Sequence, residues 1–333
     1  MGGTNRTTEQ LRAILEGDRA QLARAITLVE SSAMGDRQAA AALLSAALPH
    51  AGRSLRVGVT GIPGVGKSTL VEALGKHAIH KGHRVAVLAV DPSSNRSGGS
   101  ILGDKTRMAD LARSADAFIR PTASSGHLGG VARRTKESII LCEAAGYDLI
   151  LVETVGVGQS ESDVEGITDL NLLLMIPGAG DELQGIKRGI MESADVLVLT
   201  KAGVDPSRAH ATARQDLVNA IAYLPPRDNG RRPEVITTDA LTGSGIPQLF
   251  SLLLALRDQD QDTGTFQRRR SEQDIAWMHR AIREGLMDLF IQRTATAALL
   301  SALENDVRSG KANPFEAADL LLQRLRRDAG HLP

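Results

Sequence analysis

The nine residues GIPGVGKST, Gly61 to Thr69, place a lysine and two hydroxyls directly behind a glycine-rich turn. The stretch follows the β-rich run LRVGVT and leads into the helix-like TLVEALGKHAIHKG. The pattern Gly, four residues, Gly, Lys, Ser therefore sits in a strand, loop and helix context. Gly61, Gly64 and Gly66, with Ile62, Pro63 and Val65 between them, allow a tight backbone path whose N–H groups point inward at phosphate oxygens. Lys67 is placed to neutralise β- and γ-phosphate charge, Ser68 to ligate Mg²⁺ through its hydroxyl, and Thr69 completes the motif. The chemistry implied is binding of a nucleoside triphosphate and transfer of its terminal phosphoryl group.

Three carboxylates fall where such chemistry needs them. Asp91 ends HRVAVLAVD, Glu153 ends YDLILVE, and Asp104 lies in the loop SGGSILGDKTR between them. Carboxylates at the C-terminal ends of buried strands face the ligand crevice. One or two of them suffice for Mg²⁺, which keeps several waters, and they can also position an attacking water. A charge ending a buried apolar strand is costly without a partner, which favours Asp91 and Glu153 over Asp104, whose loop carboxylate is otherwise simply solvated. The glycine-rich loops GGSILGD, TVGVGQSE and PGAGDELQGIKRG are candidates for segments that rearrange with nucleotide state, and Gly156 and Gly158 stand where a γ-phosphate-sensing N–H would sit. On the third loop, Lys187 and Arg188 are either a positive charge for the transferring phosphoryl group or a basic surface pair. The catalytic candidates are thus Lys67, Asp91, Glu153 and Lys187.

The elements that must carry these residues can be read from hydrophobic periodicity. Residues 8 to 50 repeat Leu, Ile and Ala at helical spacing, with GDR and MGDR as breaks, which predicts two or three short helices. From 55 to 257, short continuous apolar runs (LRVGVT, HRVAVLAV, YDLILVE, DLNLLLMI, ADVLVLT, PEVITT) alternate with helical stretches. Runs of that kind suit strands buried on both faces, so the expected fold is α/β, a doubly wound, mostly parallel sheet. The polar segment QDQDTGTFQRRRSEQD, about 259 to 274, reads as a linker or a helix start, and three helices follow it. Asn313 is placed to cap the last, with Pro314 at its first position. The expected organisation is a helical extension over 1–52, a nucleotide-binding domain over 53–262 and a helical region over 263–333.

Composition narrows the functional classes. The 333 residues carry 39 Lys plus Arg against 39 Asp plus Glu, so net charge favours neither nucleic acid nor an anionic membrane surface as partner. Only eight aromatic residues are available, too few to build base-stacking platforms. One cysteine, Cys142, excludes an intrachain disulfide and a multi-thiolate zinc site within one chain. No apolar run approaches the ~20 residues that span a bilayer, and the N-terminus lacks a secretory signal pattern, so a cytoplasmic protein is expected.

The strand end VLVLTKAGVDPS, residues 196 to 207, is similar to the base-reading segment of GTPases, which reads Asn or Thr, Lys, any residue, Asp. In that segment the Asp accepts hydrogen bonds from guanine N1 and N2. Thr200 and Lys201 are present, Gly203 stands at the carboxylate position, and Asp205 is the nearest acidic residue that follows. Lys201 can still pack its stem along the base plane. The longer stretches AVDPSSNRSGGSILGDKTRM, HLGGVARRTKESIILCEAAGYDLILVETVGVGQSE and PGAGDELQGIKRGIMESAD, together with GIPGVGKST, resemble the MeaB family, also called ArgK-type GTPases, over roughly residues 10 to 290. The metal candidates read from the residues are Ser68, Asp91, Asp104 and Glu153. The resemblance implies a Mg²⁺-dependent GTPase of the class that carries Glu, here Glu153 of ETVG, in place of the usual Asp, and a homodimer formed by C-terminal helices. It also implies a chaperone role toward an adenosylcobalamin-dependent acyl-CoA mutase, typically methylmalonyl-CoA mutase. That role is gating cofactor loading and protecting or reactivating the enzyme, with no cobalamin bound by the chaperone itself. Its switch segments would be 92–108, 154–167 and 177–189, the last containing Lys187. The family's second base loop usually reads Ser-Ala-Leu where this chain has Asp239, Ala240 and Leu241, so one carboxylate is lost at 203 and another appears at 239.

Two other classes share parts of this pattern. A metallochaperone GTPase of hydrogenase or urease maturation needs a Cys or His cluster for nickel. Here Cys142 reads as a small core residue, and His77 and His80 share a helical face, with His83 beyond it, without making a strong site. A kinase needs an acceptor pocket and a lid, and a transport ATPase needs membrane partners; no segment announces either.

Overall fold

The computed structural model describes residues 2–31, 33–91, 108–123, 130–154, 164–176, 188–201, 208–227, 229–291 and 294–329. The chain opens with α1 (Gly2–Leu15), α2 (Arg19–Glu30) and α3 (Met34–Ala47). Asp18 starts α2 as an N-cap, its Oδ1 accepting the N–H groups of Ala20 and Gln21 at 2.8 and 3.0 Å.

The strands β1 (Leu55–Gly61), β2 (Val85–Asp91), β3 (Ala117–Ala123), β4 (Leu149–Thr154), β5 (Leu170–Met175), β6 (Val196–Leu199) and β7 (Glu234–Thr237) form one sheet in the order β3-β2-β4-β1-β5-β6-β7. Every pairing is parallel. The connecting helices are α4 (Lys67–His80), α5 (Ala109–Arg113), α6 (Gly130–Ala144), α7 (Arg188–Ser193), α8 (Arg208–Ala222) and α9 (Ile246–Asp262). Side chains alternate between the two faces as the pleat requires. Val57, Val59, Val87, Leu151, Leu172 and Val198 join α4 and α9 in one core, whereas Leu88, Ile150 and Val152 meet α6 and the N-terminal helices in another. This is the doubly wound arrangement expected of continuous apolar strands.

Strand β3 was not expected from periodicity. Its sequence AFIRPTA is interrupted by Arg120 and Pro121, and it lies at the sheet edge, where one side of the ladder needs no donor and proline is tolerated. Arg120 reaches back to Glu30 of α2, so the edge is tied to the N-terminal helices.

Of the two readings of 259–274, the helix start holds and the linker does not. Helix α9 continues to Asp262, and α10 (Thr265–Ile291) begins after only Thr263 and Gly264. Three of its charges, Asp260, Arg269 and Arg270, turn into the protein at the N-terminal ends of the strands, whereas Asp262, Arg268, Glu272 and Asp274 remain exposed. Arg270 binds Asp169 through two hydrogen bonds of 2.8 and 2.7 Å and donates to the carbonyls of Gly52 and Ser54, both at 2.7 Å. Arg56 grips Glu143 with two 2.9 Å bonds, and Ser54 Oγ adds a third at 2.6 Å. Burial alone would raise the Glu143 carboxyl, but the Arg56 charge and these hydrogen bonds, with Arg270 beyond, hold it below the usual carboxylate range.

Met1–Gln273 and Asp274–Pro333 are separate compact units. In the second, α11 (Thr294–Arg308) packs on α12 (Pro314–Ala329), which Asn313 caps by accepting the Phe315 N–H at 2.9 Å, with Pro314 in the first position. No helix among the described residues is long and apolar enough to cross a membrane.

Candidate nucleotide site

The central strand β1 delivers the glycine-rich loop to the C-terminal edge of the sheet. Gly61 turns the chain at φ +144°, and a Cβ there would stand 2.7 Å from the Leu174 carbonyl oxygen, so the neighbouring strand leaves room for glycine alone. Gly64 and Gly66 follow at φ +78° and +102°, and Gly66 opens α4. Lys67 is only 8% exposed, and its ammonium donates to the carbonyls of Gly61 at 2.7 Å and Ile62 at 3.1 Å. The cation is thereby held over the concave side of its own loop, with Val65 buried beneath and Thr69 in the first turn of α4.

Parallel pairing sets Glu153 opposite Val59 on β1 and Ala89 on β2. The carboxylate is 3% exposed and accepts the Ser68 hydroxyl hydrogen bond at 2.7 Å. Two oxygen donors widely separated in sequence thus meet beside the loop. Asp91 ends β2 on the neighbouring strand. Asp104, Gly156, Gly158, Lys187, Gly203 and Asp205 lie outside the described residues.

The proposed base segment does structural work the sequence did not announce. Thr200 Oγ1 donates to the Val65 carbonyl at 2.9 Å, and Lys201 Nζ to the Gly64 carbonyl at 2.9 Å, so the end of β6 clamps the phosphate loop. Lys201 has φ +59°, a left-handed conformation costly for a side-chain-bearing residue. A ring nitrogen of His210 on α8 lies 3.0 Å from its carbonyl oxygen. A lone histidine downstream of the motif gave no sequence signal for that contact.

One strand over, the Thr238 N–H donates to the Leu199 carbonyl at 2.8 Å, which carries Asp239 beside Thr200 and Lys201. Asp239 Oδ1 accepts from Leu241 N–H at 2.9 Å and Thr242 N–H at 3.4 Å, and its own N–H donates to Ser244 at 2.9 Å. This Asx turn fixes the loop, leaving Ala240 partly packed on the core and Leu241 87% exposed at its tip.

Cys142 is fully buried, and burial pushes its thiol far above the ordinary range, so it is inert core. His77 and His83 both pack edge-on against Phe250, and His83 pairs with Asp148 at 2.9 Å. Among the described residues no group of three or more His, Cys, Asp or Glu side chains is placed to hold a metal, as nickel delivery would need.

A parallel sheet whose central strand ends in this loop, with a buried lysine over it and a hydroxyl paired to a strand-end carboxylate, defines a P-loop nucleoside triphosphatase. The family model described as methylmalonyl-CoA mutase-associated GTPase MeaB matches residues 22–295, and the chain belongs to that family. It is a GTP-hydrolysing enzyme. A protein of Caulobacter vibrioides is 52% identical over 309 residues, 93% of this chain and 94% of that one. The methylmalonic aciduria type A homolog of Mus musculus is 44% identical over 94% of this chain and 78% of its own length. The crystal structure of a LAO/AO transport system kinase superposes with a TM-score of 0.74 at 35% identity, covering 96% of this chain and 97% of that one.

Proposed function

We propose that this GTPase serves an adenosylcobalamin-dependent acyl-CoA mutase, methylmalonyl-CoA mutase or a close relative, by gating cofactor loading and protecting or reactivating the enzyme. The observation that carries this reading is the family match over residues 22–295, whose description names association with that mutase.

In the proposed cycle, the glycine-rich loop cradles the GTP phosphates through its N–H groups. Lys67 exchanges its two carbonyl partners for β- and γ-phosphate oxygens. The Ser68 hydroxyl and the Glu153 carboxylate, 2.7 Å apart, are oxygen donors that suit a hard divalent cation, and Asp91, which ends the next strand, would join them. Mg²⁺, when bound, would neutralise developing phosphate charge. Asp104 would join this set, and Glu153 would orient the attacking water. Lys187 would supply a further positive charge to the transferring group. Water adds to the γ-phosphorus as the bond to the β-phosphate oxygen breaks, and GDP and inorganic phosphate leave. The residues 92–108, 154–167 and 177–189 are the proposed switch segments.

The same reading makes the protein a homodimer through its C-terminal helices. Ile275, Met278, Ile282 and Leu286 are exposed on one face of α10, an apolar stripe at the spacing of a helix interface. The experiment is to measure GTP hydrolysis with and without purified mutase, and adenosylcobalamin uptake by the mutase with GTP or GDP present. Stimulated hydrolysis and nucleotide-dependent uptake are expected; no change in either would refute the partner assignment.

A further inference from the structure

Gly203 removes the carboxylate that GTPases normally present to guanine, yet Thr200 and Lys201 of the same segment are bonded to the phosphate loop. We infer that Asp239 is the residue that makes this site selective for guanine: one carboxylate oxygen builds the loop and the other reads the base. The inference rests on the GTPase reading of the same site and deepens it.

Three observations carry it. The first is placement. The Thr238 N–H bonds the Leu199 carbonyl, so the residue after it stands beside Thr200 and Lys201, one strand spacing away at the C-terminal edge of the sheet, where ligands of such folds bind. Those two residues are themselves bonded to the Val65 and Gly64 carbonyls, so the strand end next to Asp239 is tied to the phosphate cradle. The second is the division of labour within the carboxylate. Oδ1 accepts the Leu241 and Thr242 N–H groups, whereas among the described residues Oδ2 has no hydrogen-bond partner, although the residue is only 6% exposed. Oδ2 keeps the little solvent access the residue has, so it is open to accept from a ligand while Oδ1 is occupied by the loop. The third is rigidity. Gly245, at φ +75°, lets the loop return so closely that a Cβ there would stand 2.2 Å from the Thr237 carbonyl oxygen. Together with the Asx turn this holds the acidic side chain in place before any base arrives.

Guanine presents N1–H and an N2 amino group on one edge, both donors, and an oxygen with two lone pairs can accept from both. Adenine offers an acceptor at N1 and no amino group at C2, so it would leave the oxygen unpaired. Xanthine places a carbonyl where guanine has its amino group, and would set two acceptors against each other.

The Asp239→Asn substitution tests this directly. It keeps Oδ1 as acceptor for Leu241 and Thr242, so the loop survives, and it replaces only the reading oxygen with an amino donor. Binding of GDP, XDP and ADP to the full-length protein is measured by titration calorimetry. Wild type is expected to bind GDP at least ~10-fold tighter than XDP or ADP. Asp239→Asn should weaken GDP by about 10- to 100-fold, the span of one charge-assisted hydrogen bond, and bind XDP more tightly than GDP. A gain of XDP binding cannot come from misfolding. If the variant keeps the wild-type order, or if Asp205→Asn produces the reversal instead, Asp239 is not the reader. Wild type binding GDP and ADP equally would also overturn the inference, whereas failure to bind any of the three would refute the nucleotide site itself.

Discussion

Replacing Arg270 with methionine tests whether the polar segment after α9 is structural. The guanidinium makes four hydrogen bonds of 2.7 to 2.8 Å, two to Asp169 and two to the carbonyls of Gly52 and Ser54, and stacks 4.1 Å above the Phe266 ring. Methionine keeps much of the apolar stem and removes every donor. Asp169, 3% exposed, is then left, among the described residues, with the Arg56 N–H at 2.8 Å as its hydrogen-bond donor. Breaking a buried pair by deleting one partner costs about 3–5 kcal/mol, because the remaining charge stays desolvated. Against a typical total of about 5–15 kcal/mol this is about a fifth or more of the stability. Urea unfolding followed by far-ultraviolet circular dichroism should show the midpoint fall with the slope unchanged. The paired change Arg270→Met with Asp169→Asn removes the stranded charge, so it should cost clearly less than the sum of the two single changes. A loss below about 1 kcal/mol for Arg270→Met, or strict additivity in the double variant, would refute the claim that this pair clamps the base of the sheet.

Other perturbations test other parts of the structure. Gly61→Ala adds a backbone conformation unsuited to alanine and a Cβ placed 2.7 Å from the Leu174 oxygen, whereas Gly82→Ala, at φ +89° in open space, adds only the first. Gly61→Ala should therefore lose more stability, about 1–3 kcal/mol beyond Gly82→Ala, and equal melting temperatures would contradict the close approach. The lowered Glu143 carboxyl means that its folded-state value lies below its unfolded one. Its contribution is thus complete above the unfolded value of about 4.3 and disappears as pH falls through the folded value. Unfolding from pH 7 down to 3 should show wild type and Glu143→Gln converging on the acid side; a constant gap would remove Glu143 as the source. Ile282→Asp places a charge in the exposed stripe of α10 and should convert a dimer to monomers in analytical ultracentrifugation; an unchanged sedimentation coefficient would place any dimer contact elsewhere.

The legible parts of this protein were those governed by local rules. Lys67 and Ser68 could be placed because a strand, a glycine turn and a helix are adjacent in sequence, and Glu153 because a charge at the end of an apolar run must meet something. Strand β3 was hidden because Arg120 and Pro121 break its apolar pattern, and only an edge position makes that sequence acceptable. Thr200 and Lys201 were legible as a motif, but their grip on Val65 and Gly64 depends on strand order, which brings β6 across β5 to the loop after β1.

By itself the sequence determined the class of fold, the phosphate-binding chemistry and the helices with clear caps, because hydrophobic period, glycine placement and capping residues act over a few neighbouring positions. Tertiary structure alone decided which charges of the segment 259–274 turn inward and which N–H groups the Oδ1 of Asp239 accepts. Arg270 finds Asp169 a hundred residues back in the chain, and Asp239 lies beside Lys201 only because β6 and β7 pair in register. A charged residue reads the same in sequence whether water or a buried counter-ion receives it, and only the fold supplies the partner.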